Sequence, residues 1–188
     1  MSKYDEDDII ERLRKADTKK RAFEEIVNKY DRTLYWQIRH IVVSHADTDD
    51  ILQNTFLKAW KNIDKFAGDS KISTWLYKIA YNESLTFLKQ QREMYSLSEG
   101  NDDDEHTTGH AMQIESEDYI DGDKVQIMLQ EAISLLPAKQ KAVFTMKYFN
   151  DMKYEEISEV TTTSVGALKA SYHIAVEKIT TYIKKHTI

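Results

Sequence analysis

Apolar side chains recur at helical spacing through two long stretches of the chain. In the first, Phe23, Ile26, Val27, Tyr30, Leu34, Ile38, Ile41 and Val42 share a face, which predicts an amphipathic helix over residues 18–43. Residues 44–48 interrupt it, and Asp47 or Thr48 then caps a second helix. Asp49 and Asp50 stand where the positive N-terminal end favours acidic side chains. That second helix turns Ile51, Leu52, Phe56, Leu57 and Trp60 inward. After a polar loop at 66–70, Ser73 or Thr74 opens a third helix reaching about Arg92. It is apolar nearly all round, with Trp75, Leu76, Ile79 and Phe87 on one side and Tyr77, Tyr81, Leu85 and Leu88 on another. Such a helix is either deeply buried or lends part of itself to a partner. Its aromatic side chains suit core packing and stacking on unpaired bases equally.

The second stretch predicts a helix over 125–136, and Pro137 suits the first turn of the next, which carries Val143, Phe144, Met146 and Phe149. Asn150 and Asp151 turn the chain. A short helix follows over 154–160, then a tight connection at 161–163, then Ser164 as the N-cap of a last helix. Val165, Leu168, Tyr172, Val176, Ile179 and Ile183 form its apolar stripe. Short helix, three-residue turn and capped longer helix make a helix-turn-helix, although an ordinary helical hairpin has the same periodicity. The face opposite the stripe holds Gly166, Ala167, Ala170, Ser171 and Ile174, flanked by Lys169, His173 and Lys178. It is small enough for a major groove but lacks the arginine that commonly reads guanine.

Between the stretches, residues 96–123 carry ten Asp/Glu, no Lys/Arg and no periodic apolar pattern. They read as a flexible acidic linker, either a solvated spacer or an electrostatic mimic of DNA. The charge of −6 at pH 7 resides there: residues 1–95 hold 17 basic against 16 acidic side chains, and 124–188 hold 9 against 6. Net acidity therefore does not exclude DNA. Five glycines and one proline in 188 residues are too few for a β-rich protein, so the fold class is all-α, in two small helical domains. The absence of cysteine excludes disulfides, thiolate nucleophiles and Cys-based zinc sites.

No phosphate loop, nucleophile elbow or paired catalytic acids are present, so no enzyme and no cofactor is expected. His106 and His110, four apart beside the acidic run, lack the framework a metal site needs, and no metal is expected. The acidic N-terminus has no apolar signal region, and no apolar run approaches the roughly 20 residues that span a bilayer. A cytoplasmic protein is expected.

Two segments carry a family resemblance. Residues 49–60, Asp-Asp-Ile-Leu-Gln-Asn-Thr-Phe-Leu-Lys-Ala-Trp, and residues 66–82, Phe-Ala-Gly-Asp-Ser-Lys-Ile-Ser-Thr-Trp-Leu-Tyr-Lys-Ile-Ala-Tyr-Asn, closely resemble region 2 of extracytoplasmic-function sigma factors. Leu135-Leu136-Pro137, Tyr154 to Ile157 and Ser164 to Lys169 resemble their region 4. The resemblance implies a region 2 domain over 1–95, a linker over 96–123 and a region 4 domain over 124–188. It implies a non-catalytic bacterial transcription initiation factor that binds core RNA polymerase and directs it to promoter DNA. Asp49, Asp50, Gln53 and Asn54 would meet the β′ clamp helices, with the β flap as a further polymerase contact. An acidic residue is usual in the family where Asn54 stands. Gly68, Ser70, Lys71, Thr74, Lys78 and Asn82 would melt the −10 element and hold a flipped base. Ser164, Lys169, Ser171, Tyr172 and His173 would read the −35 element, with fewer arginines than the family usually has. An anti-sigma factor, often membrane-bound in this family, is a further implied partner.

Overall fold

The computed structural model describes residues 3–42, 44–66, 68–98 and 124–186, which form eight α-helices and no strand. The first helix, α1 (Lys3–Leu13), has no counterpart in the sequence reading. It docks on α2 (Lys19–Val42) by burying Ile9 and Leu13 and through an Arg12 fork that donates to both carboxylate oxygens of Glu25 at 2.8 and 2.6 Å. The α2 stripe is buried as its periodicity requires, at Phe23, Ile26, Leu34, Ile38, Ile41 and Val42.

The turn into α3 (His45–Asn62) is sharper than expected. Ser44, not Asp47 or Thr48, is the N-cap: its Oγ accepts from the Asp47 N–H at 3.4 Å, and the Thr48 hydroxyl donates to the Ser44 carbonyl at 2.6 Å. Ile51, Leu52, Thr55 and Ala59 face inward. Leu57 and Trp60, expected inside, are exposed. Leu57 lies over the wrong flank of the buried row, and Trp60 rests edge-on against Phe23 with the Lys19 ammonium 5.2 Å from its ring centroid.

Helix α4 (Ile72–Ser98) begins before the expected Ser73 or Thr74 and continues past Arg92. Its start is fixed from outside the local sequence, because the Ile72 N–H donates to Glu6 Oε1 of α1. A carboxylate at that end satisfies an orphan amide and complements the helix dipole. Residues 96–98 thus extend α4, while the remainder of the acidic linker, with His106 and His110, lies outside the described residues.

The second half comprises α5 (Lys124–Ser134), α6 (Ala138–Tyr148), α7 (Tyr154–Thr161) and α8 (Val165–His186). Pro137 caps α6, one residue before its expected place in the first turn. Asp151 and Thr162 take positive φ values of 48° and 54° in the two turns. One apolar cluster runs from α1–α4 into Val143 and Met146 of α6, Ile157 and Val160 of α7, and Leu168 of α8. A second joins Ala132, Ile133, Leu136, Phe144, Ala175 and Ile179. The two halves therefore pack against each other, α4 meeting α7 and α2 meeting α6.

Candidate polymerase and promoter interfaces

On α3 the buried row leaves Asp49, Asp50, Gln53 and Asn54 together on the exposed face. This follows from helical geometry, since positions i, i+1, i+4 and i+5 share one side. The row continues one turn on to Leu57, which is 55% exposed. An acidic and amide patch ending in a bare leucine has the make-up of a protein-docking surface, a polar rim beside an apolar anchor. Leu57 is absent from the sequence-derived residues. Its i+4 spacing from Gln53 was the available signal, but helical apolar periodicity claimed it for the core.

The loop before α4 turns at Gly68, whose φ of 85° favours glycine. From there the candidate strand-binding residues divide. Lys78 and Asn82 are exposed one turn apart, and Ser70 is half-buried. Thr74 is only 4% exposed, so its hydroxyl does not lie on the free surface beside them. Lys71 is exposed, but its ammonium contacts Glu156 of α7 at 2.5 Å. That hydrogen bond raises the Lys71 pKa. On the other side, burial works against the Glu156 charge, yet hydrogen bonds from Lys71 and from the Lys153 N–H at 2.9 Å hold its carboxyl below the usual value.

The aromatic side chains of α4 are packing residues rather than a free stacking platform. Tyr77 and Tyr81 are buried, and Trp75 lies 5.1 Å from Phe66 between ring centroids. Burial, with Tyr30 and Glu156 nearby, pushes the Tyr77 phenol up to about 12.

The helix-turn-helix has α7 as its first helix and α8 as its second. Ser164 caps α8 as anticipated, its Oγ accepting from the Ala167 N–H at 3.3 Å. Beyond that cap, Gly166, Ala167, Lys169, Ala170, His173 and Ile174 are exposed. Ser171 is half-buried. So is Tyr172, which stacks on Phe144 at 5.7 Å and meets Tyr154 edge-on, so its ring is partly committed to holding α8 in place. Lys169 reaches over the Tyr154 ring at 5.8 Å, and His173 lies 3.5 Å from Glu177. A Cβ added at Gly166 would meet no atom within 4 Å. Among the described residues no group of three or more acids and histidines is arranged to hold a metal ion, and no helix is long and apolar enough to cross a membrane.

The sigma-70 region 2 family model matches residues 26–94, and the sigma-70 region 4 model matches 126–179. The chain is an extracytoplasmic-function member of the sigma-70 family. RNA polymerase sigma-H factor of Pseudomonas aeruginosa is 29% identical over 183 residues, 95% of this chain and 94% of the relative. SigW of Bacillus subtilis, an ECF RNA polymerase sigma factor, is 29% identical over 168 residues, 87% of this chain and 89% of the relative. Two solved structures share the fold. The sigma factor RpoE of Bartonella quintana, in complex with the anti-sigma factor NepR, has a TM-score of 0.70 at 20% identity, over 86% of this chain and 96% of the other. CnrH, in complex with the cytosolic domain of CnrY, has a TM-score of 0.62 at 20% identity, over 95% and 98%. This sigma factor is a promoter-specific initiation factor of RNA polymerase.

Proposed function

We propose that this sigma factor docks on core RNA polymerase through the α3 face of Asp49, Asp50, Gln53 and Asn54, with Leu57 as its apolar anchor. The observation that carries the reading is that this face is solvent-exposed on the segment matching region 2. The strand-binding surface is the loop from Gly68 through Ser70 and Lys71, continuing along α4 to the exposed Lys78 and Asn82, with Thr74 buried in the same row. The duplex −35 element is read from Ser164, Lys169, Ser171, Tyr172 and His173. We assign 1–95 to the first domain, 96–123 to the linker and 124–188 to the second. The work is done in the cytoplasm, without catalysis by this chain.

The two DNA-reading units have formal charges near +1 and +3, too few for many phosphate contacts. Each binds duplex weakly alone. Polymerase holds them at fixed spacing, so that two weak contacts act together through effective concentration. Because RpoE is solved with an anti-sigma factor, a protein of that kind is also a partner here, competing for the same chain.

Run-off transcription with purified core enzyme tests the reading. The chain should yield a promoter-dependent product, and no product on any promoter of its own genome would refute it. Lys78→Ala should lower run-off several-fold and reduce the salt slope of holoenzyme–promoter binding by about one counterion. An unchanged slope would remove Lys78 from the DNA-contacting set.

A further inference from the structure

Helix α1 meets the loop before α4 at two points one turn apart. Glu6 Oε1 accepts the Ile72 N–H at the start of α4. Four residues on, Ile10 Cδ1 stands 3.9 Å from where a Cβ on Gly68 would be. Residues i and i+4 share a helix face, so one face of α1 backs both ends of the segment from Gly68 to Ile72. Ile9 and Leu13 of α1 are buried in the core, and the Arg12 fork on Glu25 ties α1 to α2. The support therefore reaches the loop from a fixed base. Upstream of the loop, the Lys19 ammonium holds both carboxylate oxygens of Asp64, at 2.6 and 2.7 Å, in the short turn Ile63–Lys65.

We propose that Glu6 is a positioning residue for promoter opening: its carboxylate, with Ile10 behind Gly68, holds the strand-binding loop and the first turn of α4 in the geometry that receives a melted strand. The proposal rests on the reading of that loop and α4 as the strand-binding surface. A glycine samples more backbone conformations than any other residue, so the turn at Gly68, with φ at 85°, keeps one of them only if a neighbour selects it. Helix α4 has no acidic residue in its own first turn, so its dipole and the Ile72 amide are answered from α1.

The loop is thus fixed from behind and free in front, where Gly68, Asp69 and Lys71 are exposed. A strand entering an ordered loop avoids the entropic cost of ordering it. Glu6 is not what anchors α1, because Ile9, Leu13 and Arg12 already do so. Nor does it anchor Ile72, whose side chain is itself buried in the core. The contribution of Glu6 is local to the junction of loop and helix, where its charge also acts on Lys71.

The test uses the full chain assembled with core enzyme, on a promoter located by run-off and on the same promoter premelted by mismatches across its −10 element. Glu6→Ala should lower run-off from the duplex promoter about five- to tenfold, the worth of one hydrogen bond to a charged group. Premelting should restore wild-type output, because strand separation is then supplied. Glu6→Gln keeps an oxygen for the Ile72 N–H and should recover most of the loss, whereas Asp7→Ala, an exposed neighbour on α1, should change nothing. Ile10→Ala removes the other support and should give the same duplex-selective deficit. Amide exchange at Ile72 should quicken about tenfold in Glu6→Ala while Ile26 and Leu34 of α2 keep their rates, which separates a loosened loop from a weakened fold. Equal deficits on duplex and premelted promoters, or wild-type run-off with fast exchange at Ile72, would overturn the positioning role. Lys78→Ala tells the two failures apart. If it lowers run-off while Glu6→Ala does not, the reading of α4 stands and the role of Glu6 falls; if neither lowers run-off, both fall.

Discussion

Helices α3 and α4 each carry a candidate docking surface, but the two stand in opposite states. The α3 face of Asp49, Asp50, Gln53, Asn54 and Leu57 is open, whereas on the α4 side Thr74 is buried and the exposed Lys71 is paired with Glu156 of α7. The difference orders events. A surface already exposed can meet its partner at first encounter, while a covered one waits on a conformational step. On the proposed assignment, the polymerase surface is presented first and the strand surface second.

The hardest blow to that contrast is Ile157→Ala. Ile157 is fully buried in α7, within the cluster shared by both halves. The substitution should cost about 2–5 kcal/mol in urea unfolding and release the α4 flank while leaving the α3 face intact. A loss of polymerase binding as large as the loss of stability would show that the two surfaces are not independent.

Next in size is Asp50→Arg, which should weaken competition with wild type for core enzyme by about tenfold or more and barely alter the thermal midpoint. Leu57→Ala should do the same to a smaller extent. Unchanged competition by both would remove α3 as the docking face.

A further effect, read as stability rather than binding, probes the burial of α6. Burial pulls the Lys141 ammonium down to about 8 from its usual 10.5. The folded protein thus releases this proton before the unfolded chain does. Between about pH 8 and 10.5 the unfolded state binds more protons, and this residue's contribution makes stability rise with pH. Lys141→Met should add about 1–3 kcal/mol at pH 7 and lose that advantage by pH 10.5. A constant difference across that range would place the ammonium in water instead.

Much of the fold was legible because the signals were local. The α2 stripe, the Ser164 cap and the three-residue turn before α8 each declare themselves within a few residues. What was illegible depended on partners distant in sequence. Helix α1 has few apolar positions among its acids, and its order comes from Arg12 meeting Glu25 and from Ile9 and Leu13 finding α2. The start of α4 is set by Glu6, 66 residues earlier. Periodicity gave Leu57 an apolar role but not a flank, so it was assigned to the core. For the promoter surfaces, spacing put Thr74, Lys78 and Asn82 in one row, yet only the fold shows Thr74 buried and Lys71 engaged by Glu156.

Gly166 has a consequence of its own. It opens the second helix of the DNA-reading motif, is exposed, and has no atom within 4 Å of where a Cβ would stand. With Ala167 and Ala170 beside it, this stretch is a blank socket, and any side chain placed there extends outward without repacking anything behind it. If α8 reads the −35 element as proposed, promoter preference can drift or be engineered at position 166 by single substitutions, an arginine for a guanine edge being the simplest.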